Sequence, residues 1–295
     1  MKNVEKPELF AEVFGYPVEN ICDEAVQSRS VGICPFLDGP CQKSTYVDGQ
    51  GIRRPMGICS MFHHGKKIAI TCPHRLKSEG LIFDAAMDFC FPGVPADEMV
   101  ALPEVRLPTN RGRAGNLDYT IVRHKDGRVL DFAGMELQTV YFSGDGMRDM
   151  FIRYLEHQKR GVDFSPKQTG RQHPDYRSSS KKRLLPQLIE KGPIFGAWNK
   201  KFVVAIHTEF YEHLASNVHL VEASKKDADF AWIAVDYDPT LKNKSRHLVV
   251  QRVIPSRFDL VLKAFMLTAE DVPPVQDFVS HLERLVARAI EQRRN

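Results

Sequence analysis

The chain has 295 residues, 43% of them hydrophobic, with a formal net charge of +4 at neutral pH. That apolar content suits one large domain or a core with a small module, and the modest positive balance permits a polyanionic partner without requiring one. No apolar run approaches the roughly 18 to 20 residues that span a bilayer, and the opening stretch MKNVEKPELFAEVFG has no apolar signal region, so the expectation is a soluble, cytoplasmic protein with no membrane partner.

Residues 1–31 are mixed in pattern. Pro7–Phe14 spaces its apolar residues as a short amphipathic helix limited by Pro17. Residues 32–76 then hold Cys34, Cys41, Cys59 and Cys72, four of the six cysteines, with Cys22 before them and Cys90 after. All six lie in the first third of the chain and nothing suggests secretion, so metal is a better reading than a disulfide framework. The gaps between the four are six, seventeen and twelve residues, none of them the two-residue gap of a common zinc ribbon. Proline follows Cys34 and Cys72, and Gly32 and Gly57 stand two residues before Cys34 and Cys59, where backbone can turn towards an ion. The segment is Gly- and Pro-rich without sustained periodicity. Four thiolates around zinc or iron would staple it; the alternative is four buried free thiols. His63, His64 and His74 read as surface residues or neighbours of the ligands.

Glu79–Phe91 has helical apolar spacing closed by Pro92. Asn110 to Asn116 then reads as a mobile basic loop, in which Arg111 and Arg113 either contact phosphate or decorate a solvated connector. From Leu117 to Val140 the pattern is two strands and a turn. Asp118 opens the first strand, Lys125-Asp126-Gly127 turns it, and Gly134 inside the second marks a bulge or bend. Alternation puts Glu136 and Gln138 on one face and Leu137 on the other. Asp118 lies across the hairpin from that polar pair, and two carboxylates with the intervening backbone carbonyl form an oxygen-rich site suited to Mg²⁺.

Met147–Gln158 has helical spacing. Ser165 to Arg183 carries Arg171, Arg177, Lys181 and Lys182 among Ser, Gln and Tyr, which reads either as a basic helix against DNA or as an exposed linker. Leu184–Trp198 is helix-like with a break at Gly192-Pro193, and Phe202–Ile206, Phe230–Tyr237 and His247–Ile254 read as strands. Asp236 and Asp238 fall at a loop mouth. Pro274–Arg294 is an amphipathic helix whose stripe of Phe278, Leu282, Leu285 and Ala289 packs on the core or on a partner subunit. This order of elements suits an α/β fold, a mixed β-sheet flanked by helices, with a metal module over 1–76 and the core over 77–295.

Asp118 followed by Glu136-Leu137-Gln138 resembles the metal site of the PD-(D/E)xK nucleases, in a variant with Gln where Lys is usual. The series ICPFLDGPCQK, GICSMF and ITCPHRL is similar to the four-cysteine module of NotI-like restriction endonucleases, which precedes a core bearing Asp and Glu-x-Gln in that order. The resemblance implies a type II restriction endonuclease with a restriction-endonuclease-like core, hydrolysing phosphodiesters of double-stranded DNA at a GC-rich palindrome in the presence of Mg²⁺. It implies Asp118, Glu136 and Gln138 as catalytic residues with Glu104 as a further acid, Mg²⁺ on Asp118 and Glu136, and one structural iron or zinc on Cys34, Cys41, Cys59 and Cys72. Arg111, Arg113, Arg171, Arg177, Lys181 and Lys182 are the DNA-contact candidates. A palindrome is read by a homodimer with one centre per strand, in a restriction–modification system with a cognate DNA methyltransferase. Gln138 carries no charge and is no base, so activation of the nucleophile lacks its usual ammonium. The competing reading keeps the staple and basic stretches without cleavage: a metal-stapled, sequence-specific DNA-binding protein.

Overall fold

The computed structural model describes residues 8–37, 39–47, 52–110, 112–144, 147–159, 166–169, 171–240, 246–266 and 271–294. β1 (Phe10–Val13) and β2 (Tyr16–Pro17) turn on each other at Phe14-Gly15, both at positive φ. α1 (Asp23–Val31) has two acids in its first turn and is closed by Gly32 at φ 75°. Two small ribbons, β3 (Ile33–Cys34) with β4 (Gly39–Pro40) and β5 (Ser44–Val47) with β6 (Ile52–Pro55), carry the chain past Cys34 and Cys41. β7 (Ile58–His63) returns against β1, and β8 (Lys67–Ile70) completes a four-stranded sheet in the order β2-β1-β7-β8. Phe10–Val13 is therefore a strand, against the helix expected from Pro7–Phe14. Every residue of β1 is buried, and a strand covered on both faces loses the alternation that marks it in sequence; Pro7 lies outside the described residues.

A 3₁₀ turn over Pro73–Gly80 leads into α2 (Leu81–Cys90), followed by β9 (Met99–Pro103). The stretch expected as a mobile loop is instead a paired ribbon, β10 (Arg106–Thr109) with β11 (Gly112–Asn116). β12 (Tyr119–Lys125) and β13 (Arg128–Gln138) form the expected hairpin, closed by Asp126 and Gly127 at φ 51° and 79°, the two left-handed residues that match the strands' twist. The bulge is at Leu130, skipped between the pairs Arg123↔Asp131 and His124↔Val129, and not at Gly134, which pairs in register with Thr120. β14 (Tyr141–Ser143), α3 (Met147–Lys159), β15 (His173–Asp175) and the short α4 (Tyr176–Ser179) follow, with β15 pairing on β14. A π-helical turn over Ser180–Leu184 opens into α5 (Leu185–Ala197). α5 runs unbroken through Gly192-Pro193, where a break was expected. Gly192 abuts the Phe258 ring so closely that a Cβ would come within 1.9 Å, so this glycine is there for an approach and not for a stop. The chain finishes with β16 (Phe202–His207), α6 (Thr208–Asn217), β17 (Phe230–Tyr237), β18 (Leu248–Ser256), α7 (Phe258–Ala264) and α8 (Val275–Arg294).

Six strands form the central sheet in the order β18-β17-β16-β13-β12-β9, with β13, β16 and β17 parallel and the outer pairs antiparallel. Side-chain alternation splits the interior in two. Ala133, Met135 and Leu137 of β13 join Val203 and Ala205 of β16 under α2. Phe202, Val204 and Ile206 turn the other way, onto Leu188 and Phe195 of α5 and onto Phe10, Val13 and Met61 of the N-terminal sheet. Both sheets thus share one core. Fully buried Glu12 sits at their junction and accepts hydrogen bonds from Ser60 Oγ (2.7 Å), Arg75 Nε (3.1 Å) and Tyr237 OH (2.7 Å), so the charge is paired where it is buried. Among the described residues no helix is long and apolar enough to cross a membrane. α8 leaves Phe278, Leu282 and Leu285 exposed along its stripe.

Candidate active site

The alternation that sends Met135 and Leu137 towards α2 sends Gly134, Glu136 and Gln138 to the face occupied by α5. Asp118 immediately precedes β12, and since Tyr119 pairs with Met135 it stands across the hairpin from Glu136. Its Oδ2 accepts the backbone N–H of Leu137 at 2.7 Å, which fixes the carboxylate beside β13. Glu104, exposed and at φ 52° on the turn after β9, donates its backbone N–H to the Asp118 carbonyl at 3.1 Å. The hairpin and the neighbouring strand therefore bring Asp118, Glu136, Gln138 and Glu104 to one end of the sheet.

Asp118 and Gln138 line a cleft of about 870 Å³, with Lys43 and Thr71 of the cysteine-bearing segment on one wall and Lys182 and Arg183 on another. Gln138 donates from Nε2 to the Thr139 carbonyl at 3.1 Å. Glu136 sits one layer deeper and is 1% exposed. Its Oε1 accepts a hydrogen bond of 2.6 Å from Lys191 Nζ, while its buried Oε2 has no partner among the described residues. Burial above all, and then the negative charge of Asp118, push its pKa up to about 7, with Lys191 pulling the other way.

Lys191 is the residue that sequence reasoning missed. It lies in α5 with Leu188, Gly192 and Phe195 on the helix's buried face, and its Nζ also donates to the Asn116 carbonyl at 2.7 Å. The close approach of α5 to β13 depends on Gly134, where a Cβ would meet the Phe195 ring at 2.5 Å and the Phe202 ring at 2.7 Å. The one available signal was a lysine in register with an apolar stripe, at a position where a charge must find a partner.

The donor set fits a hard divalent cation. Two carboxylates meet at one end of the sheet, one oxygen of Glu136 has no hydrogen-bond partner among the described residues, and burial together with the charge of Asp118 raises the Glu136 pKa in spite of Lys191. Mg²⁺ is commonly held by one or two carboxylates, its other positions filled by water and substrate phosphate.

The four cysteines of the N-terminal segment are all free thiols, Cys34, Cys59 and Cys72 buried and Cys41 partly so. Burial first raises the pKa of Cys34, and the charges of Cys41 and Cys72 raise it further; Cys59 is raised by burial, then by Cys72 and Glu12. Cys34, Cys41 and Cys59 each lie close enough to another of the four for its charge to oppose their ionisation. Backbone groups work the other way, with Gly15 N–H donating to Cys59 Sγ at 3.3 Å and Phe36 lowering the pKa of Cys34. Yet among the described residues no three His, Cys, Asp or Glu side chains are grouped tightly enough to hold an ion, so the expected closed site is not formed as it stands. Cys22 is exposed, and Cys90, buried, is pushed up to about 12.

His63 pairs with Glu209 at 2.8 Å, and His74 faces Gln42 at 3.1 Å. Of the basic candidates, Lys182 lines the cleft, and so does Arg183, whose guanidinium lies 4.9 Å over the Tyr141 ring. Arg171, Arg177 and Lys181 are exposed outside the cleft lining. Arg111 lies outside the described residues; Arg113 falls in β11. Asp236 meets His207 at 3.4 Å, and Asp238 caps Thr240, away from Glu136.

A family described as Restriction endonuclease NotI matches residues 12–248, a span that takes in the four cysteines, Asp118, Glu136, Gln138 and Lys191. None of the curated proteins compared matches the chain.

Proposed function

Because the chain belongs to the NotI restriction endonuclease family, and is therefore a type II site-specific deoxyribonuclease that binds and cuts double-stranded DNA, we propose that phosphodiester hydrolysis takes place at Asp118, which lines the 870 Å³ cleft, and at Glu136, buried just behind that lining. The observation that carries this reading is the buried Glu136 carboxylate beside Asp118, its Oε2 without a hydrogen-bond partner among the described residues. Mg²⁺ bound by these carboxylates supplies polarisation of the scissile phosphate and a lowered pKa for the attacking water. Asp118 is held for this task by the Leu137 N–H, and Gln138, at the cleft surface, orients water or a phosphate oxygen with its amide. Glu104 is a further acid at the same end of the sheet. Lys182 and Arg183 line the cleft as phosphate contacts; Arg171, Arg177 and Lys181, exposed outside it, and Arg111 and Arg113, on their sequence alone, are further candidates for the duplex. The non-cleaving reading is set aside on the family match.

The test is alanine at Asp118 or at Glu136. Each variant loses cleavage of plasmid DNA in Mg²⁺ and keeps duplex binding near wild type; a variant that still cuts at the wild-type rate overturns the assignment.

Residues 1–76 form the cysteine module on this reading and 77–295 the nuclease unit. Cys34, Cys41, Cys59 and Cys72 close around one structural iron or zinc ion, a reading supported by the nearness of Cys34, Cys41 and Cys59 to other members of the set and by the Gly15 N–H on Cys59 Sγ. A closed four-thiolate site has no open position for chemistry. Elemental analysis of freshly purified protein finds about one such ion per chain, and serine at any of the four lowers solubility before it alters the chemical step. Protein free of both metals contradicts this.

The site is a GC-rich palindrome read by a homodimer, with a cognate methyltransferase protecting the host's own copies.

A further inference from the structure

We infer that Lys191 is the positioning residue of the cleavage centre, supplying from α5 the positive charge that the Glu-x-Gln motif leaves out of β13. The inference rests on the reading of Glu136 given above. Lys191 does not reach for solvent as helix lysines usually do: its side chain is 4% exposed and ends on Glu136 Oε1 at 2.6 Å and on the Asn116 carbonyl at 2.7 Å. Two acceptors from two different strands fix the ammonium in place. By taking Oε1 it sets the carboxylate's rotamer and leaves Oε2 as the oxygen without a partner among the described residues. It also brings a positive charge to a centre where two carboxylates gather and where a phosphate's charge must be accommodated.

Stability alone is a poor explanation for this lysine. Leu188 and Phe195 on the same face pack into the core, and an apolar pair at 191 and 136 would fill the same space without the cost of desolvating two charges. The helix is also brought in tightly at this level, since Gly134 and Gly192 each admit an aromatic ring that a Cβ would displace. An ammonium 55 residues along the chain from Glu136 thus lies against the same carboxylate that a lysine at 138 would neighbour on the strand.

The experiment compares Lys191→Met, Glu136→Ala and the double variant Lys191→Met/Gln138→Lys, measuring single-turnover cleavage against Mg²⁺ concentration and duplex binding without metal. In Lys191→Met the rate falls about 10²-fold, the loss expected of a misplaced catalytic group. The Mg²⁺ concentration for half-maximal rate rises at least about tenfold, the loss expected when a carboxylate ligand is deprived of the partner that orients it, and duplex binding stays near wild type. The double variant, which returns a cation to the motif position, recovers at least about a tenth of the lost rate; a side chain with only a packing role would not be replaced from another strand. Cleavage and Mg²⁺ dependence unchanged in Lys191→Met overturn the inference. So does a double variant that is folded by circular dichroism and recovers nothing, and that arm decides the matter should the single variant fail to fold. Cleavage surviving in Glu136→Ala would sink the active-site reading itself, whereas cleavage lost there but kept in Lys191→Met sinks only the role of Lys191.

Discussion

Glu136 sets the pH behaviour of the site. Its carboxyl sits near 4.5 in an unfolded chain and is pushed up to about 7 in the fold by burial and by Asp118. Between those values the unfolded chain releases the proton first, so the folded state binds more protons and stability falls as pH rises from about 4.5 to about 7. Above that window both states are ionised and the cost of the buried charge is fully present. A divalent cation binds the ionised form and relieves that cost, so Mg²⁺ raises the Tm more at pH 8 than at pH 6, and Glu136→Gln flattens the difference. Thermal unfolding with and without Mg²⁺ at the two pH values checks this, and equal shifts contradict it. That Asp118, Glu136 and Gln138 come to one end of the hairpin was legible in the sequence, because a strand has period two and Asp126-Gly127 pins the register. Lys191 was not: it joins the site from a helix 55 residues away, and a lysine inside an apolar stripe reads as a surface residue until the helix is docked.

At the level of elements, the packing of α5 on β13 carries the geometry of the site. Gly134 has ordinary strand pairing, and the constraint on it comes from above, where the Phe195 and Phe202 rings occupy the space of a Cβ at 2.5 and 2.7 Å. Gly134→Ala therefore overpacks this layer. It costs about 1–3 kcal/mol and lowers the urea midpoint with the m-value unchanged. It also slows cleavage, because α5 moves off with Lys191. An unchanged midpoint contradicts the close-packing account. β16 and β17 were readable as apolar runs, and α2, α3 and α8 by helical spacing. β1 was misread because both its faces are covered, and the expected break in α5 because a glycine–proline pair signals a stop in sequence even where the glycine is required by Phe258. These errors share one cause: tertiary contacts overrode a local signal.

For the whole molecule, the cysteine-bearing segment is more than an appendage. Its four-stranded sheet shares a core with the central sheet, Glu12 ties it to Arg75 and Tyr237, and Lys43 and Thr71 wall the cleft. Loss of that segment's fold would open the cleft as well as the module. α8 lies beyond the family match at 12–248 with its apolar stripe exposed, and it is the proposed contact between two chains. On the proposed dimer each chain would bring one Asp118/Glu136 centre, and each centre would cut one strand. The most direct test uses mixed dimers of one wild-type and one Glu136→Ala subunit. They are allowed a single binding event on a one-site supercoiled plasmid, with competitor DNA added at the start. The account predicts open circles, nicked once, where wild-type dimers give linear DNA. Linear DNA from the mixed dimers at the wild-type rate would contradict it.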